Sequence, residues 1–151
     1  MNLTDWFNFF KKYRDNQLLS LQHLKVLTKM ESHTLRVALK RLNAKGFIQR
    51  ICRGFYANPL NPPNLEDISS LIYAPSYISL ESALSRWGFL SQIPQVLTCV
   101  TTRLPRRFST SFGGIEYHQL KKEHFWGFIQ EGKHFIAEPE NIILPQFSTL
   151  S

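Results

Sequence analysis

Apolar positions in the first third of the chain recur at helical spacing. Trp6, Phe9, Phe10 and Tyr13 stand at i, i+3, i+4 and i+7, which predicts a first helix with one aromatic stripe turned inward. Thr4 or Asp5 is placed to cap it. Ser20 is a candidate N-cap for a second helix that faces inward through Leu21, Leu24 and Leu27. After the short turn Thr28 to Glu31, Ser32 is expected to cap a third helix, with Leu35, Ala38, Leu39 and Leu42 on one face. Gly46 is its natural stop, because a residue just past a helix end often needs a left-handed backbone. Beyond Gly46 the period changes: Phe47 to Ile51 and Phe55 to Asn58 flank Cys52-Arg53-Gly54 and read as two short strands joined by a tight turn. Helix, helix, turn, helix and hairpin follow one another in the order of a winged helix-turn-helix.

The stretch Ala57 to Asp67, with three prolines and three asparagines, has the composition of an extended connection. It sets a boundary near Asn61, dividing the chain into residues 1–60 and 61–151. After it, Tyr77 to Phe89 predicts a helix capped by Ser79, with Leu80, Ala83, Leu84 and Trp87 inward and Gly88 ending it. Gln95 to Arg103 is rich in β-branched residues and predicts a buried strand. Gly113 to Lys122 and Phe125 to Ala137 predict further strands, the last pair turning at Glu131-Gly132-Lys133. The fold class is therefore α+β: an N-terminal winged helix-turn-helix, then a small α+β domain with a mostly antiparallel sheet.

Charge sharpens this division. The whole chain carries +7, but its excess is not evenly spread. Residues 1–60 hold eleven bases against three acids, Asp5, Asp15 and Glu31, a net +8; the rest holds seven bases against eight acids, a net −1. Such asymmetry is the footprint of a nucleic-acid module joined to something else. No apolar run approaches the ~18 residues of a membrane span, and the opening residues lack the order of a secretion signal. Cys52 and Cys99 form no metal or redox spacing, so a cytoplasmic setting is expected.

A helix advances about 100° per residue. With the leucines of the third helix turned inward, its outer face carries His33, Val37, Lys40 and Ala44, flanked by Arg36 and Arg41, with Thr34 and Lys45 further round. Thr34 and Val37 permit close approach to a thymine methyl, and Arg36 and Lys40 have donors suited to guanine O6 and N7. Arg50 and Arg53 would project from the hairpin toward the backbone or minor groove. The candidate DNA contacts are thus His33, Thr34, Arg36, Val37, Lys40, Arg41, Arg50 and Arg53, with His23, Lys25 and Lys29 as further phosphate contacts. The competing reading is an interaction module whose basic surface meets an acidic protein.

No catalytic constellation emerges from the second half. Its glutamates lack the spacing of a metal-dependent nuclease, His118, His124 and His134 are scattered, and no Gly-rich phosphate loop is present. Phe125, Trp126 and Phe128 are expected in the core. No enzyme activity, cofactor or metal is implied. A nuclease-like domain steered by a winged helix stands as a distant third reading.

Two runs carry a family resemblance. Ser20 to Pro59, with Gly46-Phe47-Ile48, Arg50-Ile51 and Arg53-Gly54-Phe55-Tyr56, resembles the N-terminal winged helix of the AbiEi family, antitoxins of bacterial type IV toxin–antitoxin systems. Tyr77 to Phe108, with Ser-Leu-Glu-Ser-Ala-Leu, Val-Thr-Thr and Arg-Arg-Phe, resembles the family's second domain, as does Glu116 to Phe128. The resemblance implies transcriptional autorepression through double-stranded operator DNA with inverted repeats. It also implies antitoxin action against a nucleotidyltransferase-like toxin, a functional link without a stable complex, in a bacterial cytoplasm. It covers about Leu18 to Glu140. Where the family continues into C-terminal helices, this chain reads Asn141-Ile142-Ile143-Leu144-Pro145, which predicts that those helices are missing and that apolar surface is left exposed.

Overall fold

The computed structural model describes residues 1–91 and 94–142. It is α+β, in two compact units, Met1–Pro63 and Asn64–Ser151.

The first unit is built on the predicted aromatic stripe. Helix α1 (Leu3–Lys12) buries Trp6, Phe9 and Phe10, whose rings touch one another at 5.7–5.8 Å between centroids. Its cap is Asn2 rather than Thr4 or Asp5. The Asn2 amide oxygen accepts from Asp5 N at 2.8 Å, while the Asp5 carboxylate accepts from Asn2 N at 3.1 Å. This reciprocal box meets two of the orphan donors of the helix start. A strand the hydrophobic pattern does not announce, β1 (Leu18–Ser20), comes next; three residues are too few for alternation to register. Ser20 caps α2 (Leu21–Thr28) as expected, accepting from His23 N at 3.1 Å.

Helix α3 (Ser32–Ala44) is capped by Glu31, not by Ser32. The longer side chain reaches the amides of both His33 and Thr34, at 3.1 and 3.3 Å, so Ser32 becomes the first helical residue. Leu35, Leu39 and Leu42 are buried beside Leu19, Leu24, Ile48 and the α1 aromatics in one core. At the far end Gly46 takes φ +79°, Phe47 N donates to Leu42 O and Gly46 N donates to Asn43 O. These two bonds form a Schellman closure that satisfies carbonyls the helix leaves open.

The hairpin β2 (Gln49–Cys52) and β3 (Phe55–Ala57) follows, and β3 lies between β2 and β1 in a three-stranded antiparallel sheet. The residues expected to form an extended connection are divided between the units. Asn58 is fully buried and its side-chain amide donates to Phe10 O and Tyr13 O at the end of α1. Asn61 does the same for Arg14 O at 2.9 Å. Asn64 instead caps a helix of the second unit.

That helix, α4 (Leu65–Ile72), is absent from the sequence-based expectation because its flanking prolines and asparagines mask it. The second unit continues with β4 (Ser76–Ile78), α5 (Leu80–Arg86), β5 (Val96–Thr101), β6 (Arg106–Thr110), β7 (Gly113–Gln119), β8 (Phe128–Glu131) and β9 (His134–Ala137). Strands β4–β9 form one sheet in the order β6-β7-β5-β4-β9-β8. Pairs β5–β7 and β4–β9 are parallel and the other three antiparallel, so antiparallel pairing predominates without being exclusive.

Ser79 stands at the N-cap of α5, but its side chain makes no cap bond. The Thr98 hydroxyl from β5 accepts from Ser82 N at 3.0 Å instead, so a neighbouring strand caps the helix. Gly88 ends it with φ +85°, as expected. A short 3-10 turn, Pro139–Asn141, follows β9. The departure from the family pattern at Ile143 to Pro145 lies outside the described residues.

Candidate nucleic-acid interface

Cationic side chains of the first unit come from three elements held in fixed relation by two hydrogen bonds. Leu21 N, at the start of α2, donates to Gly54 O in the hairpin turn at 2.8 Å. Arg50 N in β2 donates to the side-chain oxygen of Asn43 near the end of α3, at 3.1 Å. Asn43 and Leu21 are positioning residues that sequence reasoning missed, since nothing in their spacing marks a partner so distant in the chain.

Of the eight candidate contacts, His33, Thr34, Arg36, Lys40 and Arg41 are exposed on α3, Arg50 is exposed on β2 and Arg53 in the turn, while Val37 is half-buried. Lys25 and Lys29, with His23, are also exposed. The structure groups them unevenly. Arg36, Arg50 and Arg53 together line an open hollow of about 590 Å³, whose remaining wall includes Ser20, Leu21 and Gln22 at the start of α2. His33, Thr34, Val37, Lys40 and Arg41 do not line it.

The carboxylates of this unit are engaged in ways that leave the charge excess standing. Asp5 serves the α1 cap and Glu31 the α3 cap. The backbone amides of His33 and Thr34 hold the Glu31 carboxyl below its ordinary pKa range, so it stays ionised. Glu31 also accepts from the Thr34 hydroxyl at 3.2 Å. That bond occupies the hydroxyl and leaves the Thr34 methyl for the expected approach to a thymine methyl.

The second unit disposes of its charges differently. Arg86 pairs with Glu131 at 2.8 Å and Arg107 with Glu116 at 3.0 Å. His118 lies 3.1 Å from Glu116. His134 is buried, with Nδ1 2.9 Å from Asp67 and Nε2 3.4 Å from Glu131, so it is a carboxylate-flanked histidine rather than a scattered one. Arg103 lies 4.0 Å from the Tyr73 ring and Arg106 4.4 Å from the Phe108 ring. Phe125 and Phe128 pack on Tyr77 but are only half-buried, and Trp126 is 62% exposed, so the expected aromatic core forms only in part. Cys99 is fully buried, and burial pushes its thiol up to about 12, which keeps it protonated and unreactive.

Among the described residues, no group of three His, Cys, Asp or Glu side chains could hold a metal ion. Nor is any helix among them long and apolar enough to cross a membrane. No family model matches the chain, and no curated protein matches it either.

Proposed function

We propose that Met1–Pro63 is a winged helix-turn-helix that binds double-stranded DNA, and that the chain is a transcriptional autorepressor of the antitoxin type. The observation that carries this reading is the charge of the first unit. Eleven bases meet only three acids, at least two of which are engaged as helix caps, and five of the bases, Arg36, Lys40, Arg41, Arg50 and Arg53, stand exposed on α3 and the hairpin. In this reading α3 enters the major groove and presents His33, Val37 and Lys40 to base edges, with the Thr34 methyl beside them. The hairpin is the wing, and Arg50 and Arg53 contact the sugar–phosphate backbone. The operator would consist of inverted repeats upstream of the chain's own gene. The wider role, repression of a type IV toxin–antitoxin operon and neutralisation of a nucleotidyltransferase-like toxin without a stable complex, rests on the AbiEi resemblance.

The test is a gel shift or anisotropy titration against the DNA preceding the gene. With six or more phosphate contacts, affinity is expected to fall by ~10³-fold or more between 50 and 200 mM salt. A chain that binds no duplex in a salt-dependent way is not a DNA regulator.

One observation favours the second reading, a protein-interaction module that does not bind DNA. Leu3, Phe7 and Phe47 of the first unit are each about half exposed, at 53%, 53% and 44%, around an open apolar hollow also lined by Leu60. A basic protein that fails the duplex titration but retains an acidic partner through this unit would support that module.

A further inference from the structure

Resting on the DNA reading, we propose a division of labour among the candidate contacts: Arg36, Arg50 and Arg53 form one seat for a single backbone phosphate, and base reading belongs to the rest of α3. This takes Arg36 out of the set expected to recognise guanine. The three arginines come from α3, β2 and the hairpin turn, yet they line the same hollow. Three arginines lining one hollow favour an anion there, and planar guanidinium forks match phosphate oxygens two at a time.

The remaining wall points the same way. Ser20, Leu21 and Gln22 are the cap and first residues of α2, so the positive end of that helix dipole borders the hollow. The wall is also held in place: Leu21 N bonds Gly54 O, and Arg50 N bonds the Asn43 side chain. A seat assembled from three tethered elements fixes the register of the chain on DNA before any base is read, as phosphate contacts do. The hollow is open along the surface rather than enclosed, which suits a strand that enters and leaves it. His33, Val37 and Lys40 lie outside the hollow and are available to base edges.

The experiment uses the full chain and two duplexes, the DNA preceding the gene and a scrambled version. Arg36→Ala, Arg50→Ala and Arg53→Ala are each expected to lower affinity about 10-fold on both duplexes alike. Each alone should reduce the slope of log affinity against log salt by less than 1, since two arginines remain on the same phosphate. Because the three share one phosphate, Arg36→Ala/Arg53→Ala should lose less than the product of the two single effects. Lys40→Ala, in contrast, should lower the preference for the upstream duplex.

In a parallel arm, inorganic phosphate is titrated while the arginine Nε–Hε signals are followed by NMR. All three arginines should shift together, and the double variant should abolish the response at Arg50. Loss of duplex preference on Arg36→Ala, or single effects that multiply, would overturn the shared seat. Phosphate shifts without binding to either duplex would sink the DNA reading and leave the seat standing. Absence of both responses would remove the two together.

Discussion

The two units use the same residue types for opposite purposes. In the second unit arginine is drawn into the fold. Arg86 and Arg107 pair with glutamates, and Arg103 and Arg106 lie over aromatic rings. In the first unit eleven bases face three acids, and Arg36, Arg50 and Arg53 line a surface hollow. The difference teaches that the total charge of a chain says little about a partner, whereas charge left over after internal pairing says much. A cation with a carboxylate neighbour supports its own unit; a surplus that three acids cannot balance leaves the unit's surface positive.

Charge reversal gives the largest expected effect on this contrast. Arg36→Glu/Arg53→Glu should weaken duplex binding by about 100-fold or more, since two attractions to phosphate become repulsions. Arg86→Glu, which breaks an exposed pair in the second unit, should change duplex affinity little. Anisotropy titrations at one fixed salt concentration measure both. Equal losses from the two variants would break the comparison.

The second effect concerns what lies buried inside each unit. The core of the first unit is apolar: Leu24, Leu35 and Leu39 are fully buried against the α1 aromatics. The second unit adds a buried hydrogen bond between Asp67 of α4 and His134 of β9, at 2.9 Å. Removing one partner leaves a polar group without its neighbour in a dry site. His134→Ala should therefore cost about 2 kcal/mol, seen as faster hydrogen exchange in the second unit alone. Replacing both residues by leucine should recover most of that loss, because replacing both partners of a buried hydrogen bond by apolar groups of similar shape can be nearly neutral. A double variant no more stable than His134→Ala would show that the contact itself, and not the stranded carboxylate, matters.

The units agree where helices stop. After α5, Gly88 has φ +85°, Gly88 N donates to Ser85 O and Phe89 N donates to Leu84 O. This repeats the Gly46-Phe47 closure after α3 in every bond. A Cβ at either glycine would meet no atom within 4 Å, so any cost of substitution is backbone strain alone. Gly46→Ala and Gly88→Ala should each lose about 1 kcal/mol, each confined to its own unit. Unequal losses would mean that one end is supported by more than its turn.

These stops were legible in the sequence because a glycine after a helical stripe is a local signal. So were the stripes of α1, α2 and α3, whose periods run over two turns or more. Other elements depend on distant parts of the chain. Strand β1 is three residues long and exists by pairing with β3. Helix α4 hides behind proline and asparagine, and the parallel pairing of β5 with β7 joins residues that no local pattern links. The basic side chains of the candidate site were each readable, but their grouping was not. Arg36 and Arg53 reach one hollow only because α3 and the hairpin pack together, which spacing along the chain does not encode. The caps show the same limit in small form: Thr98 caps α5 from another strand, while the Ser79 side chain makes no cap bond there.

The smallest expected effect tests the carboxylate cap at the start of α3. The Glu31 carboxyl is held below its ordinary range by the amides of His33 and Thr34, so in the folded chain it takes up its proton at lower pH than in the unfolded chain. Its stabilisation of α3 is therefore complete above the unfolded pKa and is lost as pH falls through the folded one. Glu31→Gln should flatten that dependence. Between pH 7 and pH 3, hydrogen exchange in α3 should accelerate less in the variant than in the wild type, once intrinsic exchange rates are subtracted. The second unit should respond to pH identically in both proteins. If the two α3 profiles coincide, the ionised cap contributes nothing measurable there.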